Sequence, residues 1–483
     1  MRPVAFRVGL LAGLLSQFHD GKCVGVMVTA SHNPVEDNGV KLVDPNGEMV
    51  IGIWEDLATE LANTSEAQLS EILIKIRSEM KISSEAPIKV AVGRDTRPSG
   101  LELCEAIEFG VKSVNNSATF IDLQLQTTPQ FHFSVKLINE RKPLQYFEHF
   151  SEQFEKILNG KRLEGKLVID AANGIGAQSA ESFKNRLDQS TNFNPTILNT
   201  GKEAGGVLNH ECGADFVKIQ MKAPKGVESS DEMCRFASLD GDADRLIYFY
   251  FDKEGNFKML DGDRISVLFA FYLRKLLKAA DLFDSIKFGV VQTAYANGAS
   301  TEFLKSQGIS VSMASTGVKN LHHVAAEEYD IGVYFEANGH GTVLFSPLAI
   351  SVIEKCEKLK IVKELINQCV GDAMSDLLLV EAILCEEQMT LAAWDSLYEE
   401  LPSRQLKVKV ADRSLFKTTD ADTKLTNPPK LQAEIDLLVA QIPKGRAFVR
   451  PSGTEDVVRV YAEAETREQC DRLAEQIAKL LEF

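Results

Sequence analysis

The sequence predicts an α/β protein: three consecutive, similar α/β domains with mixed sheets, followed by a smaller C-terminal α+β domain. Three observations carry this. Short apolar, β-branched runs alternate with helical stretches through about residue 345, the pattern of layered α/β units. At 483 residues, with 44% hydrophobic and 25% charged side chains, the chain has material for three or four cores. Beyond the helix-rich stretch at 350–401 the tail changes character, with strands at 405–411, 447–450 and 456–463 ahead of a final helix to Leu481.

The first segment is drawn at 1–158. Phe6, Leu10, Leu11, Leu14 and Phe18 fall on one face of a helix. The run 8–15 is near the minimum for a signal-peptide core, but no small-residue cleavage pattern follows, so the helix is preferred. Residues 24–28 form a buried strand that delivers Thr29-Ala30-Ser31-His32-Asn33-Pro34. Pro34 keeps Asn33 off helical angles and places Ser31 and His32 in a solvent-facing loop. Asn38-Gly39 and Pro45-Asn46-Gly47 bracket a strand at 40–44. A helix within 54–80 and strands at 88–92 and 118–123 follow. The charged amphipathic stretch 145–159 leads to a boundary at Gly160.

The second segment, 159–262, opens with a strand at 166–170. Gly174 and Gly176 then lack the Gly-x-Gly-x-x-Gly spacing of a dinucleotide site and read as a close-packed turn. A strand runs into Asp240, and a hairpin spans 246–260. The third, 263–392, has a helix from Arg264, strands at 288–292 and 342–345, and a strand ending at Glu336. The fourth is 393–483.

A net charge of −16 opposes nucleic acid or an anionic membrane as partner, so any anionic substrate must meet locally clustered Arg and Lys. Eight cysteines stand singly, with no Cys-x-x-Cys pair, which argues against a disulfide framework or a zinc site and for a reducing, cytoplasmic setting. No apolar run approaches the ~20 residues of a membrane span.

Several loops carry chemistry. Ser31 and His32 are adjacent and cannot face each other as nucleophile and base, and Gly-x-Ser-x-Gly is absent, so an ordinary strand-end turn is an equal reading. Asp240-Gly241-Asp242-Ala243-Asp244-Arg245 sets three carboxylates at alternate positions, able to converge on a hard cation, Mg²⁺ or Ca²⁺. The EF-hand rival fails, because Arg245 and Phe251 stand where Gly and Glu are required. Glu336 can accept from two vicinal hydroxyls and Asn338 adds an amide, though a plain hairpin turn explains them as well. Around Arg450-Pro451-Ser452-Gly453-Thr454, with Arg459 nearby, backbone N–H groups and hydroxyls make an anion nest that two guanidiniums can complete.

Thr-Ala-Ser-His-Asn-Pro at 29–34, with Asp37-Asn38-Gly39-Val40-Lys41 after it, resembles the active-serine loop of the α-D-phosphohexomutases. The Asp240 loop, the Glu336-Ala337-Asn338-Gly339-His340 loop and the Arg450 loop resemble that family's metal, sugar and phosphate loops, in the same order and over nearly the whole chain. The run Gly93-Arg94-Asp95-Thr96-Arg97 is similar to its arginine loop near the serine. Ser315-Thr316-Gly317-Val318-Lys319 is similar to the loop between metal and sugar sites, and the run from Asn209 to Asp215 to a substrate-side loop of the second domain.

The resemblance implies four domains around a central cleft, a phosphoryl group carried on Ser31, and Mg²⁺ held by Ser31, Asp240, Asp242 and Asp244. His32, Lys41 and Arg245 would handle protons and charge. Arg94, Thr316, Gly317, Glu336, Asn338, Arg450, Ser452, Gly453, Thr454 and Arg459 would bind substrate, with the last domain hinging over the cleft. Asn338, where other branches carry a serine, implies the branch that interconverts N-acetylglucosamine 6-phosphate and 1-phosphate through a hexose bisphosphate, toward UDP-N-acetylglucosamine. Its partners would be sugar phosphates alone, with no nucleic acid and no membrane.

Two departures accompany this. A Gly-Thr-x-Gly-x-Arg-like loop and strand expected upstream of the serine is missing, as in an N-terminally truncated member, and the segment after Phe345 is shortened. A glucose or mannose phosphate mutase would share the same parts, and a catalytically silent sugar-phosphate-binding isoform would fit the missing loop. A plain Mg²⁺ phosphatase is the remaining reading.

Overall fold

A computed structural model describes every residue except 51, 204, 229–233, 453–455 and 482–483. Its contacts separate two units, Met1–Asp261 with Ile361–Gln388, and Gly262–Lys360 with Met389–Phe483.

The first unit holds two sheets. One runs in the order Val40–Val43, Cys23–Val28, Lys89–Arg94, Thr119–Leu125, antiparallel in its first pair and parallel in the others. Cys23–Val28 is buried at every position, as a strand covered on both faces must be. The helix Arg2–Phe18 exceeds the one apolar face expected and is buried all round from Val8 to Gln17. It crosses the helix Gly100–Val114 backbone to backbone, where a Cβ on Gly110 would lie 2.1 Å from the Phe6 carbonyl oxygen. Two helices, Ile53–Asn63 and Leu69–Glu79, replace the single one expected within 54–80.

The second sheet has the order Thr196–Leu198, Lys166–Asp170, Cys234–Leu239, Leu246–Phe251, Phe257–Leu260. Its first pairs are parallel, and a hairpin closes it antiparallel. A Cβ on Gly174 would sit 2.4 Å from the Gly241 carbonyl oxygen, so this turn is indeed close-packed. The helix Ala373–Glu387, contributed by the later part of this unit, is buried from Ala373 to Leu384 and packs on Tyr146–Leu158.

In the second unit a mixed sheet runs Ser310–Ala314, Phe288–Thr293, Ile331–Phe335, Gly341–Phe345. A separate antiparallel sheet, Ser403–Lys409, Val457–Glu463, Arg446–Pro451, is backed by the helices Pro429–Val439 and Arg467–Leu480, the expected α+β arrangement.

The three mixed sheets share one device. In each, the loop singled out above joins a central buried strand to its antiparallel neighbour: residues 29–39, 240–245 and 336–340. Among the described residues, no helix is long and apolar enough to cross a membrane.

Candidate active site

Ser31 leaves its strand with φ 51°, in the left-handed region, which costs a non-glycine residue about 1–2 kcal/mol. All of its polar atoms are engaged. The N–H donates to Thr29 Oγ1 (3.0 Å), Oγ donates to Asp240 Oδ2 (2.6 Å), and the carbonyl oxygen accepts from Asn209 Nδ2 (2.9 Å) and Arg97 Nη2 (3.1 Å). These contacts correct the expectation of a solvent-facing loop. His32 is exposed, but Ser31 is drawn inward to 7% exposure.

Asp240, Asp242 and Asp244 each present an oxygen within 4.8 Å of the others, and all three are buried. Lys41 Nζ lies 2.9 Å from both Asp242 Oδ2 and Asp244 Oδ2. Arg245 Nε is 3.8 Å from Asp240 and from Asp244, and its Nη1 reaches both oxygens of Asp215 at 2.7 Å. Thr128 Oγ1 donates to Asp242 Oδ2 at 2.6 Å. The loop is braced from two sides, by Thr128 N–H on the Asp242 carbonyl (3.0 Å) and Ala373 N–H on the Ala243 carbonyl (3.2 Å).

Burial and mutual repulsion set the electrostatics of this cluster. Burial, then repulsion from Asp244 and Asp242, pushes Asp240 far above the usual carboxylate range. Burial and Asp244 push Asp242 the same way, but Lys41 and the Thr128 hydroxyl outweigh them and hold it below its ordinary value. Lys41 would be lowered by burial, yet the two aspartates hold it well above a free ammonium. His32 is lowered, by burial first and then by the Arg245 guanidinium. Asp242 Oδ1 is buried with no hydrogen-bond donor. Three converging carboxylates with one orphaned oxygen fit a hard divalent cation.

In the second unit Glu336 Oε1 accepts the Gly317 N–H (3.0 Å), and Oε2 lies 3.4 Å from Asn338 Nδ2. Arg450 Nη1 donates to Thr316 Oγ1 at 2.6 Å. Arg450 and Arg459 stand opposite each other on paired strands, an unfavourable arrangement for like charges that a bound anion would relieve. Tyr295 lies against both guanidiniums; burial raises its phenol and the two arginines oppose that rise. Ser452 is buried beside them, its N–H on the Val457 carbonyl (2.9 Å), while Gly453 and Thr454 lie outside the described residues. Buried Glu463 ties the strands Arg446–Pro451 and Val457–Glu463 to the turn after Phe288–Thr293, accepting from Gly298 N–H (2.9 Å) and Arg446 Nη2 (2.9 Å).

Arg94 lies 3.5 Å from Asp122, and Arg97, from the same run, braces the serine loop, ion-paired to Asp95 and bonded to the Asn33 (2.7 Å) and Asp37 (2.8 Å) carbonyls. Sequence reasoning missed Thr128 and Tyr295 as members of these sites, while Thr29, Arg97, Asn209 and Asp215 lie within runs it singled out without giving them a role of their own.

Comparison with known proteins covers nearly the whole chain. Residues 261–389 match Phosphoacetylglucosamine mutase AMG1, domain III, and residues 139–247 match its domain II. Residues 16–69 match Phosphoglucomutase/phosphomannomutase, alpha/beta/alpha domain I, and residues 406–480 match the C-terminal domain of that family. The phosphoacetylglucosamine mutase of Sus scrofa is 46% identical over 499 residues, spanning 98% of this chain and 90% of the relative. The chain belongs to the phosphoacetylglucosamine mutase family. The family's human member is 45% identical over the same shares. The crystal structure of Aspergillus fumigatus N-acetylphosphoglucosamine mutase in complex with GlcNAc-6P and magnesium matches with a TM-score of 0.94 at 44% identity, covering 99% of this chain and 92% of that one. Four phosphohexomutase domains therefore follow one another along the chain.

Proposed function

We propose that this chain interconverts N-acetylglucosamine 6-phosphate and N-acetylglucosamine 1-phosphate through a phosphoserine at Ser31 and a bisphosphorylated sugar. The observation that carries it is the 2.6 Å bond from Ser31 Oγ to Asp240, inside a cluster of three buried carboxylates. Asp240, Asp242 and Asp244, with the serine oxygen, would hold Mg²⁺, which when bound neutralises the phosphoserine's charge of about −1.5 to −2 and polarises its phosphorus.

The chain's own residues then divide the work. A sugar hydroxyl attacks phosphorus, the new P–O bond forms as the bond to Ser31 Oγ breaks, and the second half-reaction returns the other phosphoryl group to Ser31. His32, the exposed imidazole next to Ser31, would take the hydroxyl proton and give it back. Lys41 and Arg245, whose side chains lie beside the aspartates, would stabilise charge on the transferring group. Arg450, Ser452, Gly453, Thr454 and Arg459 would grip the idle phosphate, with Thr316 and Gly317 lining its approach and Glu336 and Asn338 on the sugar. Arg94, 3.5 Å from Asp122, would be a further cation for the substrate's phosphate. We divide the chain into serine (1–158), metal (159–262), sugar (263–392) and phosphate (393–483) segments. Singly placed cysteines support work in the cytoplasm, on the route to UDP-N-acetylglucosamine.

The test is a coupled assay for N-acetylglucosamine 1-phosphate formed from the 6-phosphate, with Mg²⁺ and catalytic hexose bisphosphate. Turnover abolished by Ser31→Ala supports the reading. Folded protein that binds substrate without turnover would refute it.

A further inference from the structure

We infer that Asn209 is a positioning residue for phosphoryl transfer, holding Ser31 through the main chain of the serine loop. This rests on reading Ser31 as the phosphoryl carrier. Two carbonyl oxygens, those of Ser31 and Asn33, are each gripped twice. Asn209 Nδ2 lies 2.9 Å from the first and 3.0 Å from the second. Arg97 Nη2 lies 3.1 Å and 2.7 Å from the same two atoms. Because both partners are carbonyls, only the amide nitrogen of Asn209 can face them, and both of its protons are used.

The two donors come from different places. Arg97 follows Lys89–Arg94 in the sheet that carries the serine, whereas Asn209 sits in the loop after Thr196–Leu198, in the sheet that carries the aspartates. That loop is itself pinned. Asn209 N–H donates to the Ala172 carbonyl (2.9 Å), and buried Asp170 accepts from Gly213 N–H (2.7 Å), Asn199 Nδ2 (2.8 Å) and Ser238 Oγ (2.8 Å). The metal loop passes directly behind the clamp, since a Cβ on Gly241 would lie 2.5 Å from the Ser31 carbonyl oxygen and 2.9 Å from Asn209 Nδ2.

The clamp matters most once the serine is loaded. Ser31 Oγ now donates to Asp240, but a phosphorylated oxygen has no proton, so that bond is lost on loading. What then keeps Ser31 at φ 51° is Thr29 on its N–H and the two donors on its carbonyl. Of these only Asn209 belongs to the segment that holds the metal loop. It fixes the distance from phosphoryl group to aspartates by a link that avoids the reacting atoms.

The full chain is tested with Asn209→Ala, measuring turnover of N-acetylglucosamine 6-phosphate and the rate at which glucose 1,6-bisphosphate phosphorylates Ser31, followed by intact mass. We expect kcat and the loading rate to fall together, on the order of 10- to 100-fold, with KM within about twofold of wild type. Asn209→Asp, which turns a carboxylate on the same two carbonyls, falls further. Asn209→Ser, read by the same quantities, decides the matter if the alanine variant does not fold. Unchanged kcat in a variant whose parent loads Ser31 normally overturns the positioning role and leaves the reading of Ser31 standing. A raised KM at unchanged kcat overturns it too, by making Asn209 a substrate contact. Failure of the parent chain to load Ser31 sinks both.

Discussion

The serine–aspartate cluster and the arginine–glutamate cluster are built in opposite ways. In the first, Ser31 and the three aspartates are buried and held from several directions: Thr29, Arg97 and Asn209 on the serine, Lys41 and Thr128 on the aspartates. In the second, Thr316, Glu336 and Arg450 are half-exposed or exposed, they meet through single bonds, and two arginines face each other across paired strands. The difference matches two tasks. Phosphoryl transfer depends on charges fixed before the substrate arrives, whereas a grip on either end of a sugar phosphate must be finished by the ligand itself. Substitutions in the first cluster should therefore fall on kcat and those in the second on KM.

The largest effect belongs to Ser31→Ala, which removes the proposed phosphoryl carrier and should lower kcat by about 10⁴-fold or more. Lys41→Met comes next. It strips the cation that sits 2.9 Å from two aspartates and should lower kcat on the order of 10²- to 10³-fold with KM nearly unchanged. A loss carried mainly by KM would break the contrast at its strongest point. Arg450→Ala should do the reverse, raising KM about 10- to 100-fold, the worth of a charged hydrogen bond, while kcat holds within a few-fold. If kcat collapses instead, the second cluster is as preorganised as the first.

What the sequence made legible follows the same division. The serine and metal loops could be read because each is a short contiguous run after a buried strand, so local chemistry and local geometry coincide. Their long-range contacts could not be read. Asn209 meets Ser31 across 178 residues, and nothing in the run 209–215, legible only as a substrate-side loop, reports that contact. Arg94 and Arg97 show the limit more sharply. They lie three residues apart at one strand end, and only sheet register decides that Arg94 stays on the strand near Asp122 while Arg97, beyond it, turns back to the serine. Apolar strands such as Lys166–Asp170 were read to the residue, while the short polar pair Lys417–Thr419 and Lys424–Asn427 left no periodic signal. The N-terminal helix was recognised, but its burial on all sides comes from a glycine crossing that periodicity does not report.

The smallest effect is one of stability, at a residue the chemistry does not use. Asp376 lies fully buried in Ala373–Glu387, the helix whose first N–H braces the metal loop, and neither of its carboxylate oxygens has a hydrogen-bond partner. Burial first, then repulsion from Asp372, raises its pKa well above the ordinary value. A group that binds its proton more tightly when folded favours folding fully below the unfolded pKa, and that contribution is lost as pH climbs through the raised folded pKa. Asp376→Asn mimics the protonated acid at every pH. It should melt with wild type near pH 4 and outlast it increasingly toward pH 8, by about 1–3 kcal/mol at the upper end, the cost of a buried polar group left unmet. Turnover at fixed pH should change by less than about twofold, since Asp376 touches no reacting atom. Thermal melts of both proteins across that range decide it. Parallel curves would mean that the carboxylate finds a partner in solution, and the rigidity of the serine half would then owe less to its buried charges than to packing.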